Sequence, residues 1–206
     1  MAFEAGASDA RTEVLEFEEA TLEPNEYRFI NRWRLPGRIE EVADVIGDPD
    51  DYGRWWPCAW LEYKGMTRGD AEGVGGEFRY KVKGWMPYSL NLRFKVVDVR
   101  RPHGFTVTAT GDLVGQGIWT LTQDGDRVDV SYEWRVRAEQ PLIRRLSRLL
   151  KPLFRSNHFW VMRNGARSLQ LELARRKATT PEELARIPPP PGPTFPQNVT
   201  RRFRRG

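Results

Sequence analysis

Along much of the chain, apolar and polar residues alternate with a period of two, the mark of strands buried on one face. Phe78, Tyr80 and Val82 alternate with Glu77, Arg79 and Lys81. Tyr88, Leu90, Leu92, Phe94 and Val96 alternate with Ser89, Asn91, Arg93 and Lys95. Val128, Val130, Tyr132, Trp134 and Val136 alternate with Asp129, Ser131, Glu133, Arg135 and Arg137. The pattern predicts strands over 59–66, 74–83, 88–99, 104–113, 117–123 and 127–138, with a hairpin at Gln123-Asp124-Gly125-Asp126. An earlier strand, 26–35, places Tyr27, Phe29, Asn31, Trp33 and Leu35 on one face and ends at Pro36-Gly37. Behind it, Ile39, Val42, Ala43 and Ile46 fall at helical spacing, predicting a short helix from Arg38 to Ile46. The segment 48–57 reads as a turn with a further helical turn.

Consecutive one-sided strands imply an antiparallel sheet whose dry face needs a cover. Residues 141–177 lack strand character and supply it. Their apolar residues form two stripes: Leu142, Leu146, Leu149, Leu150 and Leu153, then Phe159, Met162, Ala166, Leu169 and Leu173. At about 100° per residue the second stripe lies nearly opposite the first. One straight helix cannot bury both on one sheet, so a break or sharp kink is expected between Pro152 and Asn157. The expected fold is therefore α+β: a curved antiparallel sheet of about seven strands around a long, kinked C-terminal helix, with two short helices after the first strand. After Lys177 the chain is expected to leave the domain. Thr180-Pro181-Glu182-Glu183 reads as a capping box for a short helix over 181–187, followed by an extended IPPPPGPTFPQ segment. The expected organisation is an acidic lead-in over 1–25, a single folded domain over 26–177 and a Pro-rich basic tail over 178–206.

Composition changes this picture little. The 206 residues suffice for one substantial core. The single cysteine, Cys58, excludes an internal disulfide. The first residues show no basic start followed by an apolar run, and no run of eighteen apolar residues occurs, so the expected location is the cytoplasm. The net charge of +5 is concentrated at the ends, with acids before residue 25 and arginines after residue 174. A basic tail can meet an anionic membrane or a nucleic acid. No RNA-binding module surrounds it, so nucleic acid is not expected as a partner. Two histidines and one cysteine, far apart, match no metal-ligand spacing, and no phosphate-binding or nucleophile motif occurs. No metal or other cofactor is expected.

The order of elements resembles the helix-grip fold of the START-like, or SRPBCC, superfamily of polyketide cyclases and lipid-transfer domains. The resemblance rests on Trp33-Arg34-Leu35-Pro36 with Glu40–Ile46, on Asp48-Pro49 with Trp55-Trp56-Pro57, and on Lys83-Gly84-Trp85-Met86-Pro87-Tyr88. Gly111-Asp112, Gly115, Gly117-Ile118-Trp119 and Pro152-Leu153-Phe154 with Asn157-His158 and Met162 extend it, over about residues 26–177. It implies a cavity between sheet and C-terminal helix that takes a hydrophobic or amphipathic small molecule. Its expected wall comprises Phe29, Asn31, Trp33, Phe78, Tyr80, Leu92, Phe94, Tyr132, Trp134, Phe159 and Met162.

Three readings of function follow. The first is a binder of a lipid or polyketide-like ligand. The second is a cyclase or dehydratase, which needs an acid and a base converging on the cavity. His158, Asp112 and Tyr88 are the catalytic candidates, with Tyr80 and Tyr132 also at hand. Each has a plainer role: a structural hydrogen bond for His158, and an outward position for Asp112 unless a bulge at Gly111 turns it in. Asn31 either orients a ligand or bonds a neighbouring element, and Trp55 and Trp56 either gate the cavity or anchor the short helices. The third reading is peripheral binding to an anionic membrane through Arg144, Arg145, Arg148, Lys151 and the RRFRRG tail.

Overall fold

The structure, a computed structural model, describes residues 13–14, 23, 25–139 and 141–194, apart from the side chains of 13, 14, 142–148 and 150. The RRFRRG tail lies outside the described residues. Eight strands form one antiparallel sheet among the described residues: β1 (Glu13–Val14), β2 (Glu26–Pro36), β3 (Trp60–Thr67), β4 (Glu77–Lys83), β5 (Ser89–Arg100), β6 (Gly104–Gly111), β7 (Leu113–Asp124) and β8 (Arg127–Ala138). Their order is β1-β2-β8-β7-β6-β5-β4-β3. The short β1 pairs with β2 at Arg32 and Asn31, so the expected lead-in supplies an edge of the sheet. Helices α1 (Ile39–Ile46) and α2 (Tyr52–Trp55), with a 3-10 turn at Pro49–Asp51 between them, connect β2 to β3. Helix α3 (Pro141–Lys177) covers the sheet, and α4 (Pro181–Arg186) follows.

The alternation in the sequence holds. On β2 and β8 the inward rows, Tyr27, Phe29, Asn31, Trp33, Leu35 and Val128, Val130, Trp134, Val136, are buried. One expected boundary moves. The strand expected over 104–113 ends at Gly111, and Leu113 already belongs to β7. Gly111 has φ +109, a conformation open mainly to glycine, so the chain turns there. Asp112 sits in that turn, not within a strand: its Oδ2 accepts from Asn91 N at 2.7 Å and its own N–H donates to Asn91 O at 3.1 Å.

Of the expected break or kink in the covering helix, the break is absent. Helix α3 runs through Pro152 without interruption. Leu149 of the first stripe does not compete with the second for the sheet. Leu149 is 78% exposed, while Met162, Ala166, Leu169 and Leu173 are buried. Each such buried leucine contributes about 1.5–3 kcal/mol. Gly165 permits close packing, since a Cβ there would lie 2.3 Å from Cζ2 of Trp56. Polar clamps complete the attachment. The buried Glu172 carboxylate accepts from Arg54 at 2.7 and 2.8 Å and from Arg176 at 2.9 Å. Lys177 pairs with Glu41 on α1 at 2.9 Å.

The chain does not leave the domain after Lys177. Thr180 and Glu183 form the expected capping box of α4. The Pro-rich segment then returns: Arg175 donates to Pro188 O, Pro193 is buried, and Lys83 Nζ donates to Thr194 O at 2.7 Å and to its Oγ1 at 3.1 Å. Thr194 in turn donates to Gly84 O at 3.3 Å. The low side-chain entropy of proline suits such a strap.

Candidate functional site

A cavity of about 900 Å³ lies between the sheet and α3. Its walls follow from the pleat, because every second residue of a strand faces inward. Strand β2 contributes Tyr27 and Phe29; β4, Phe78, Tyr80 and Val82; β5, Leu90, Leu92, Phe94 and Val96. Strands β7 and β8 add Trp119, Leu121, Tyr132, Trp134 and Val136. Helix α3 closes it with Phe154, Asn157, His158, Val161 and Met162, which share one face at helical spacing. The rings form a continuous lining: Phe78 lies 5.8 Å from Phe94, Phe94 6.1 Å from Trp134, and Trp119 4.2 Å from Tyr132.

The two ends of the cavity differ. Arg68, Asp70, Glu72 and Glu77, with Asp50 and Arg101, line the end at the β3–β4 loop. Tyr88, Phe154, Asn157 and His158 line the end at the β4–β5 connection. The length of β4 separates them, about 20 Å at the rise of a strand. Asn157 joins this second end to α3. Its Oδ1 accepts from Met86 N at 3.1 Å, and Gly84 passes so close that a Cβ would lie 2.1 Å from that oxygen.

His158 lies beside Asn157 in this aromatic end. Its ring stacks on Phe29 at 4.0 Å and 13°, and Nε2 lies 3.1 Å from Asn31 Nδ2. The same Asn31 nitrogen lies 3.4 Å from Tyr132 O. Burial holds the His158 pKa down, to about 3. Burial also pushes the Tyr88 phenol up to about 12 and holds the Tyr80 and Tyr132 phenols well above the ordinary phenol value. Tyr80 donates to Pro49 O.

Of the residues expected in the wall, Phe29, Phe78, Tyr80, Leu92, Phe94, Tyr132, Trp134 and Met162 are there. Three are not. Asn31 is 1% exposed and stands behind His158. Trp33 is buried between Trp56 and Trp119, at 6.0 and 5.5 Å, packing the core beside the cavity. Phe159 is 39% exposed, one position round α3 from His158. Among the catalytic candidates, His158 and Tyr88 reach the cavity, whereas Asp112 bonds the Asn91 backbone outside it. Trp56 both lines the cavity and anchors α2, while Trp55 is fully buried in the anchor. Expectation missed Tyr27 and Phe154, whose rings lie 6.2 Å apart. Tyr27 was on the inward row already. Phe154 was hidden by the expected break, since its spacing to His158 and Met162 is legible only on a continuous helix. Cys58 is buried, which pushes its thiol up to about 12. No cluster of three or more His, Cys, Asp or Glu that could hold a metal occurs among the described residues.

Comparison with known proteins agrees with this geometry. The profile of the family described as polyketide cyclase/dehydrase and lipid transport matches residues 34–174. No curated protein sequence matches. A protein of Thermus thermophilus is similar in structure, with TM-score 0.59 at 14% identity over 74% of this chain and 99% of its own. A START superfamily protein of Mycobacterium smegmatis gives 0.56 at 12% identity over 73% and 99%. Norcoclaurine synthase of Thalictrum gives 0.54 at 13% over 74% and 97%. At such identities these three speak for the fold alone. The family profile covers more than half of the chain, so the chain belongs to the polyketide cyclase/dehydrase and lipid transport family.

Proposed function

We propose that the protein binds one hydrophobic or amphipathic small molecule, lipid or polyketide-like, inside the cavity. The observation that carries the reading is a space of about 900 Å³ walled by aromatic and aliphatic side chains, at the upper end of the range for ligand sites. Acid–base chemistry finds less support. No two of Tyr80, Tyr88, Asp112, Tyr132 and His158 are hydrogen-bonded through their side chains among the described residues, and a histidine held neutral to about pH 3 is a poor proton shuttle near neutrality. The test is native mass spectrometry of the purified protein, before and after extraction with organic solvent. A one-to-one apolar adduct that disappears on extraction is expected. A protein that carries no adduct and takes up no lipophilic dye sinks the proposal.

A second reading, docking on an anionic membrane, draws on α3. Residues 141–171 contain no Asp or Glu but carry Arg144, Arg145, Arg148, Lys151, Arg155, Arg163 and Arg167. Exposed Leu149 and Phe159 lie on the same helix. Basic residues beside exposed apolar ones suit an interfacial helix. Flotation with phosphatidylglycerol vesicles, weakened by L149D and absent with phosphatidylcholine vesicles, is expected. Equal flotation of wild type and L149D removes this reading.

A further inference from the structure

Asn31 decides which proton His158 carries. Its Nδ2 faces two partners, the Tyr132 carbonyl at 3.4 Å and His158 Nε2 at 3.1 Å. A carbonyl oxygen can meet only the NH₂ end of the amide, which sets the amide's orientation. The opposite orientation leaves two buried N–H donors unpaired and sets two oxygens against each other. The observed one leaves only Asn31 Oδ1 without a partner among the described residues. With NH₂ pointing at it, Nε2 must be the acceptor, so the neutral ring carries its proton on Nδ1. Protonating Nε2 as well would oppose two N–H groups, which works in the same direction as burial. No carboxylate bonds His158 among the described residues, and its flat face is taken by Phe29. His158 lines the cavity, and its Nδ1 bonds no described residue.

We propose that His158 is the specificity-determining donor of the cavity: its Nδ1–H, set by Asn31 as a positioning residue, takes an uncharged oxygen acceptor such as a ketone, quinone or ester carbonyl on an apolar body. This rests on the reading of the cavity as a ligand site and names the class of ligand. A carboxylate is disfavoured at this end. Beside His158 it would meet the aromatic rings Phe29, Tyr88 and Phe154, and a buried carboxylate left unpaired among them is costly. Lys83, also in the wall, has its ammonium bonded to Thr194 of the returning strap.

Three probes of one shape test this: fluorene, fluoren-9-one and fluorene-9-carboxylate, titrated by calorimetry into wild type and H158F. The phenylalanine keeps the ring stacked on Phe29 and removes the donor. In wild type, fluorenone should bind roughly fivefold more tightly than fluorene, the worth of one ordinary neutral hydrogen bond, with the carboxylate weakest. In H158F the fluorenone advantage should vanish while fluorene binding persists. Equal binding of fluorene and fluorenone by wild type, or tightest binding of the carboxylate, overturns the assignment and leaves cavity binding intact. Failure of all three to bind removes the cavity reading and this inference with it. An independent arm uses wild type without ligand. Long-range ¹H–¹⁵N spectra should show His158 with a protonated Nδ1 and a bare Nε2, unchanged from pH 7.5 to 4.5. A bare Nδ1, or a titration near pH 6.5, contradicts the proposal.

Discussion

The two halves of α3 use one helix for different work. Residues 159–177 hold the fold together: Met162, Ala166, Leu169 and Leu173 are buried, and Glu172 bonds Arg54 and Arg176. Residues 141–158 carry an exposed Leu149, an interior proline, and the aromatic and polar residues that close one end of the cavity. The first kind of surface is mostly buried against its neighbours, and its loss should appear as instability. The second leaves space unfilled, and its changes should appear in binding. A fold that keeps such a cavity needs both, because a cavity persists only where its rim is over-secured elsewhere.

Mutations should separate the halves, beginning in the C-terminal one. L169A, at a fully buried position, should cost about 2–5 kcal/mol in urea unfolding. A loss below 1 kcal/mol would mean that this half is not the anchor. E172A should cost about 2–3 kcal/mol, because it removes the buried acceptor of two arginines while leaving Arg54 half in water. G165A should cost about 1–3 kcal/mol, since the new methyl group meets a packed Trp56 ring rather than a mobile side-chain end. L149S, in the N-terminal half, should change stability by less than about 0.5 kcal/mol, as expected of an exposed site.

Acid should also separate them, in two windows. Burial pushes the Glu172 carboxyl upward, but the Arg54 and Arg176 bonds outweigh it and the net pKa is lowered. A depressed carboxylate stabilises the fold above its unfolded value of 4.5 and loses that contribution as pH falls through the lower folded value. His158, lowered from 6.5 to about 3, is a base held neutral in the fold. Its contribution is whole above pH 6.5 and drains as pH falls from 6.5 toward 3, where the unfolded chain binds the extra proton. Wild type should therefore lose stability relative to H158F between pH 6.5 and 4.5, whereas E172Q should flatten the profile only below 4.5. Parallel profiles for wild type and H158F above pH 4.5 would show that His158 is hydrated in the cavity.

How much of this was legible beforehand depends on the range of the signal. Strand positions and faces are local, and Tyr80, Phe94, Tyr132 and Trp134 stand where the alternation places them. The covering role of 141–177 follows from the same pattern. Positions set by long-range partners carry no such local signal. Two apolar stripes on opposite faces imply a break or kink only if both need the sheet, yet Leu149 of the first faces outward. Trp33 shares the inward row with Phe29, but α2 brings Trp56 over it and removes it from the wall. Phe159 belongs to the apolar stripe, yet α3 is rotated so that His158 faces the cavity instead. The Thr194–Lys83 contact spans 111 residues, and no local pattern announces it.

The central claim is that the space between sheet and α3 is a ligand site, and filling it is the most direct test. Leu92 is buried in the cavity wall on β5, so L92W should place an indole in the lumen while leaving the rim untouched. Calorimetric titration with 1-aminoanthracene should give one dye per chain for wild type and none for L92W, with circular dichroism showing that the variant remains folded. Equal stoichiometry and affinity in the two proteins would place the dye elsewhere and contradict the account.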